Sequence, residues 1–88
     1  MKELESLRKE IDLTDEAICT LLVKRFAVVR EIGEYKKING LPVLNREREA
    51  AVLEKVRAYA STPREAEALA AVYRTVMDQA KDIERTED

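Results

Sequence analysis

Apolar positions recur at helical spacing along most of the chain, in three stretches separated by two short interruptions. In the first stretch, from about residue 3 to 39, apolar side chains return every three or four positions with no intervening proline. Asn39-Gly40 and then Pro42 indicate a helix end and a loop. The pattern predicts one long helix. The alternative is a helix that breaks at Gly33, because glycine costs a helix about 1 kcal/mol.

Two shorter helices are predicted beyond this loop. Asn45 can cap a second helix that runs to about Ala60. A threonine cap, a proline at the first helical position and a capping-box glutamate at 62–65 begin a third helix, which continues almost to the chain end. Because no strand, repeat or linker is indicated, the predicted fold class is all-α, with residues 1–88 as a single domain. The buried side of the second helix is expected to carry Val52, Leu53, Val56 and Tyr59. The apolar positions of the third helix are Leu69, Val72, Tyr73, Val76, Met77, Ala80 and Ile83.

The length of the first helix predicts an assembly. At 1.5 Å per residue the helix is about 55 Å long, whereas a compact domain of this size has a radius of gyration of only about 12 Å. The two shorter helices therefore cannot cover its whole apolar stripe. We expect a second copy of the chain to cover the remainder, which makes the protein an obligate homodimer.

Composition excludes several classes of function. The chain has no histidine, which removes histidine triads, histidine metal sites and imidazole acid–base chemistry. We interpret the single Cys19 as a packing residue rather than a nucleophile, in a reducing compartment. A formal net charge of −2 argues against nucleic-acid binding. Without a signal peptide or an apolar run of about 20 residues, we expect a cytoplasmic protein that does not enter a membrane.

Several charged residues occupy positions where the helical pattern favours apolar side chains. Arg25 and Lys36 fall within the apolar sector of the first helix, and Arg8 lies at its edge. Glu49 and Glu84 lie among apolar positions of the second and third helices. Unpaired buried charge is costly, so two interpretations remain open. Either the charges pair with one another, as Arg25 with Glu49, or they line a pocket that binds an anion.

The spacing of the arginines constrains the second interpretation. Arg8 and Arg25 are about 26 Å apart along a continuous helix, which is too far for both to hold one small ligand. If both bind the same anion, one of them comes from the other subunit. An arginine guanidinium is well suited to a carboxylate, because its planar fork can donate two parallel hydrogen bonds.

Four segments together resemble a known family, that of the all-helical (AroQ-type) chorismate mutases. The resemblance covers nearly the whole chain, and the order and spacing of the segments carry it, since each one is weak alone. The segments are LRKEID at 7–12 followed by Asp15, LLVKR at 21–25, IGEYK at 32–36 and PVLNRERE at 42–49.

The resemblance implies an intertwined helical homodimer with two equivalent sites. In each site, Arg8 of the partner subunit and Arg25 would bind the two substrate carboxylates. Lys36 would donate to the ether oxygen of the breaking bond. Glu49 would accept from the ring hydroxyl, and Arg48 would support the pocket. The implied reaction is the rearrangement of chorismate to prephenate in aromatic amino acid biosynthesis, which needs no nucleophile, metal or cofactor.

Three positions depart from the family's usual pattern. Asn45 stands where aspartate is usual, and we assign it to helix capping before substrate contact. Ala80 stands where a serine that helps hold a carboxylate is common. Glu84 stands where a glutamine donates to the ether oxygen, and only a protonated glutamate can donate in its place. Our hypothesis is that Glu84 faces the pocket and that activity falls as the pH rises. The alternative is that Glu84 points to solvent.

Related functions on the same scaffold stay open at this point. One is a mutase for 4-amino-4-deoxychorismate, whose different ring substituent is compatible with the departures at Asn45, Ala80 and Glu84. The other is an isochorismate-pyruvate lyase. The chain can also be a non-catalytic helical dimerisation module. The charged residues at apolar positions weigh against that module, because apolar residues would stabilise a scaffold better at several of these positions.

Overall fold

The computed structural model describes residues 2–86 and consists of three helices. These helices are α1 (Leu4–Ile38), α2 (Arg46–Arg57) and α3 (Pro63–Thr86), and α3 packs against both of the others. No strand occurs between residues 2 and 86. The predicted all-α class, with one long and two shorter helices, is confirmed.

The long helix continues through Gly33, so the alternative of a break there is wrong. Gly33 is buried, and a Cβ atom on it would lie 3.0 Å from the Cα and 3.2 Å from the carbonyl oxygen of Glu84. The absence of a side chain therefore lets the backbones of α1 and α3 come into close contact at this point. Gly33 fixes the distance between α1 and the end of α3.

The end of α1 is a Schellman motif built around Gly40, which has a φ of 64°. The Leu41 amide donates to the carbonyl oxygen of Lys36 at 2.8 Å, and the Gly40 amide donates to that of Lys37 at 3.3 Å. Glycine suits this left-handed position because it has no Cβ to clash with the backbone. The motif turns the chain back over the last turn of α1 and directs the following loop towards Lys36.

Side-chain caps begin the two shorter helices, as predicted. The Asn45 side-chain oxygen accepts from the backbone amide of Arg48 at 3.0 Å. The Thr62 hydroxyl accepts from the backbone amide of Glu65 at 3.1 Å. The carboxylate of Glu65 in turn accepts from the amide of Ser61 at 2.9 Å. Both caps satisfy amides that have no partner within the helix.

The buried core lies between α2 and α3 and contains most of the predicted positions. It is formed by Val52, Val56 and Met77, with Leu53, Leu69 and Tyr73 packed against it. The prediction is wrong for Tyr59, which is 85% exposed, because α2 ends at Arg57 and Tyr59 belongs to the turn that follows. Among the apolar positions of α3, Val72 is 58% exposed and lies outside this core.

The first half of α1 extends away from this core. Every residue from 2 to 21 is exposed, including the apolar side chains of Leu4, Leu7, Ile11, Ile18 and Leu21. The radius of gyration is 16.0 Å, against about 12 Å for a compact chain of this length. The accessible surface is 7178 Å², whereas a compact monomer of 10.1 kDa exposes about 5,300 Å². As expected, α2 and α3 leave much of the apolar stripe uncovered.

Candidate active site

A cleft of about 370 Å³ lies where the second half of α1, the start of α2 and the second half of α3 meet. Seven of the eight predicted site residues line this one cleft, although they are spread over 60 positions of the sequence. They are Arg25, Lys36, Asn45, Arg48, Glu49, Ala80 and Glu84.

Arg8 is the predicted site residue that does not line the cleft. Its exposed guanidinium lies 3.2 Å from the carboxylate of Glu5 on the same helix. Because α1 is continuous, Arg8 lies about 26 Å along the helix from Arg25. Within a single chain, Arg8 and the cleft are therefore separate, and the donation of Arg8 to a partner's site stays a prediction.

Two oxygen atoms contact the ammonium of Lys36, which lines the cleft. Its ammonium donates to the carbonyl oxygen of Val43 at 2.8 Å and lies 2.8 Å from Oε1 of Glu84. The side chains of Lys36 and Glu84 are only 19% and 8% exposed. The contact with Glu84 has the distance of an ion pair but not the alignment of a hydrogen bond, and Oε1 has no hydrogen-bond donor among residues 2–86. Glu84 therefore faces the cleft and not solvent.

The two arginines that line the cleft are Arg25 and Arg48. The guanidinium carbon of Arg25 lies 5.6 Å from the centroid of the Tyr73 ring, a cation–π contact that helps fix its position. Within residues 2–86, neither Arg25 nor Arg48 forms an ion pair, so the suggested pair of Arg25 with Glu49 is absent. Both guanidinium groups can therefore bind an anion without first breaking a salt bridge.

Glu49 pairs instead with Lys81, a cleft residue that was not predicted from the sequence. The Lys81 ammonium lies 2.9 Å from Oε2 of Glu49 and 3.4 Å from Oδ1 of Asp78. The hydrogen bond to Glu49 raises the pKa of Lys81 above its ordinary value. Lys81 follows Met77 by four residues and precedes Glu84 by three, so it shares a helical face with both. That spacing is the signal that could have identified it.

Asn45 and Ala80 provide fewer free polar groups to the cleft than its charged residues do. The side-chain oxygen of Asn45 is engaged in capping α2, which agrees with the role assigned to it from the sequence. Ala80 is buried, with 6% of its surface exposed, and presents only a methyl group. Neither side chain is a strong candidate for holding a carboxylate.

The charges of the cleft favour an anionic ligand. Four cationic and two anionic side chains line it, which gives a formal net charge of +2 and suits a dicarboxylate. No group of three or more potential metal-ligating side chains occurs within residues 2–86. None of the helices described for 2–86 is long and apolar enough to cross a membrane. The fold and cleft thus define a small helical protein with a cationic cleft.

Comparison with known proteins assigns the family. The family model of chorismate mutase type II matches residues 7–85. The chain therefore belongs to the chorismate mutase type II family, and the resemblance seen in the sequence is confirmed.

Individual relatives are consistent with this assignment. The chain is 48% identical over 67 residues to the T-protein of Enterobacter agglomerans, a match of 76% of this chain. It is 46% identical over 56 residues, or 64% of this chain, to the bifunctional chorismate mutase/prephenate dehydratase of Aquifex aeolicus. The chain spans only 16% of the length of each of these two relatives. Among solved structures, the form II chorismate mutase of Thermus thermophilus has a TM-score of 0.91 and 29% identity, with 99% of both chains covered.

Proposed function

We propose that this chain is a chorismate mutase that rearranges chorismate to prephenate in aromatic amino acid biosynthesis, in the cytoplasm and without a cofactor. The observation that carries the proposal is a cleft of net charge +2 in which the Lys36 ammonium is anchored and in which Arg25 and Arg48 have no carboxylate partner among residues 2–86. In the reaction a C–O bond breaks as a C–C bond forms within one molecule. The protein then has to supply position and charge, which such a cleft can provide.

Each charged side chain has a role in this proposal. Arg25 binds one substrate carboxylate, and Arg8 of the partner subunit binds the other. Lys36 donates to the ether oxygen on which negative charge develops. Its anchoring by the Val43 carbonyl supports this role, because a cation that is already in place costs no reorganisation during the reaction. Glu49 accepts from the ring hydroxyl, with Arg48 beside it in the cleft wall.

Glu84 makes the proposed reaction sensitive to pH. Ionised Glu84 competes with the ether oxygen for the Lys36 ammonium, from which it is separated by 2.8 Å. It also repels the negative charge that develops on that oxygen. Protonated Glu84 does neither and can itself donate a hydrogen bond. We therefore expect activity to fall as the pH rises.

The same proposal includes an intertwined homodimer of single-domain chains. Each chain exposes about 1,900 Å² more than a compact monomer of its mass, so a dimer that covers this excess buries about 3,800 Å² in total. Obligate homodimer interfaces bury roughly 2,000–5,000 Å². The exposed apolar half of α1 and the remoteness of Arg8 from the cleft both support an arrangement in which α1 of one chain reaches the cleft of the other.

The first experiment follows the disappearance of chorismate with wild type, Arg25→Ala and Arg64→Ala. Arg64 is an exposed arginine at the opposite end of α3 from the cleft, and it controls for loss of an arginine as such. We expect Arg25→Ala to lower kcat/KM by about 30-fold or more, the effect of leaving a bound carboxylate without its partner, and Arg64→Ala to stay within about twofold. A folded wild-type protein that leaves chorismate intact would refute the proposal.

The second experiment tests donation of Arg8 between subunits by mixing two inactive variants. In a heterodimer of Arg8→Ala and Arg25→Ala chains, one site contains both substitutions and the other contains both native arginines. An equal mixture, unfolded and refolded together, is half heterodimer and should recover about a quarter of wild-type activity. If Arg8 and Arg25 of one chain served the same site, no mixture would recover activity.

A further inference from the structure

The ion pair between Lys81 and Glu49 forms part of the cleft wall and joins α3 to α2. The two side chains are 20% and 27% exposed, and both line the cleft. Asp78, the other partner of Lys81, is 69% exposed and lies one turn earlier on α3, outside the cleft. Solvent screens the charge of Asp78, so the local balance inside the cleft is that of one carboxylate and one ammonium.

This pairing changes what Glu49 can bind. A carboxylate without a counter-ion binds an ammonium more tightly than a hydroxyl, because the full positive charge of the ammonium adds Coulombic attraction to the hydrogen bond. In this cleft, Oε2 of Glu49 is already engaged by Lys81 at 2.9 Å. A second ammonium on the remaining oxygen would share the carboxylate with the Lys81 ammonium and be repelled by it. A hydroxyl donates one hydrogen and carries no charge, so it meets no such repulsion.

We propose that Lys81 determines substrate specificity: paired with Glu49, it makes the cleft select a ring dicarboxylate that carries a hydroxyl over one that carries an ammonium. This inference rests on the proposed function, in which Glu49 accepts from the ring substituent. Overall charge acts in the same direction. The cleft carries a net charge of +2 before Arg8 of the partner subunit is added, so it attracts the hydroxyl-bearing dianion more strongly than the amino analogue, which carries one negative charge less. Lysine is ordinarily cationic throughout the usual assay range, and the hydrogen bond to Glu49 raises the pKa of Lys81 further.

The test compares kcat/KM for chorismate and 4-amino-4-deoxychorismate in wild type, Lys81→Met, Lys81→Arg and Arg85→Met. Methionine retains the length of lysine without its charge, and arginine retains the charge. Arg85 is an exposed cation on the same helix that does not line the cleft, so Arg85→Met removes a charge elsewhere. We expect Lys81→Met to shift the ratio of the two kcat/KM values about five- to tenfold towards the amino compound. The other two variants should retain the wild-type ratio.

A double variant separates this role from simple support of the fold. If Lys81 acts by engaging the Glu49 carboxylate, Lys81→Met should shift the ratio clearly less in a Glu49→Gln background than in wild type. Turnover of chorismate with the same ratio in wild type and Lys81→Met, or an equal shift with and without Glu49, would overturn the specificity role and leave the mutase proposal intact. A folded wild type that converts neither compound would overturn both.

Discussion

Replacing Gly33 by alanine sets two effects of opposite sign against each other. Alanine is better than glycine in a helix by about 1 kcal/mol, so helix propensity alone predicts a more stable protein. The new Cβ, however, would lie 3.0 Å from Cα and 3.2 Å from Cβ of Glu84. The Cα and Cβ atoms of Glu84 are fixed by the backbone of α3. They cannot rotate away from the new methyl group as the end of a flexible side chain can. Overpacking of this kind costs about 1–3 kcal/mol, so we expect a net loss of up to about 2 kcal/mol in the free energy of unfolding.

The same substitution should lower activity. Relief of the contact requires α3 to move by a few tenths of an ångström at Glu84, whose carboxylate lies 2.8 Å from the Lys36 ammonium. Because a misplacement of 1 Å at a reacting centre can cost about a hundredfold in rate, we expect kcat to fall about three- to tenfold.

Urea unfolding at a fixed chain concentration measures the stability change, since the stability of an oligomer depends on concentration. Glu34→Ala and Glu34→Gly at the neighbouring exposed position calibrate the effect of helix propensity in this protein. An increase in unfolding free energy for Gly33→Ala equal to the Glu34 calibration, with kcat unchanged, would refute the steric argument.

Three other substitutions test separate parts of the site and the assembly. Glu84→Gln should give a flat pH profile of kcat where the wild-type rate declines with rising pH, and the same decline in both proteins would rule out Glu84 as its source. Asn45→Ala should lower the free energy of unfolding by about 1 kcal/mol, because the cap of α2 is lost, and should change KM by no more than about twofold. A much larger rise in KM would indicate that Asn45 contacts the substrate. Ile18→Glu places a charge on the exposed apolar stripe of α1 and should abolish the dimer, as measured by sedimentation velocity, whereas Glu16→Gln on the same helix should not. If Ile18→Glu remained a dimer, α1 would not be the interface.

Local signals explain which parts of the fold were predictable. Asn45 and Thr62 begin helices because their side chains bond to helix amides close in sequence, and Gly40 ends α1 through its own backbone angle. Tyr59 was assigned to the core because its spacing continues the pattern of α2. The helix ends before reaching it, and nothing in the local sequence shows where helical hydrogen bonding gives way to a turn.

The site was predictable where charge conflicted with the apolar pattern. Lys36, Glu49 and Glu84 stood out for that reason, and all three line the cleft. Lys81 did not stand out, because a long lysine beside an apolar face usually extends its charge into solvent. Gly33 was interpreted only as a weak point of α1, since its close contact with α3 depends on the crossing of two helices that are far apart in sequence.

The isolated first half of α1 makes amide hydrogen exchange a direct gauge of association. In a single chain, the amides between residues 7 and 21 are protected only by helical hydrogen bonds, in the exposed half of α1, and an isolated helix of this length is marginal in water. In the proposed homodimer the same amides would be protected nearly as well as those of the α2–α3 core. When the protein is diluted, exchange of these amides should accelerate before exchange in the α2–α3 core. One hydrogen-exchange experiment would therefore record both assembly and folding.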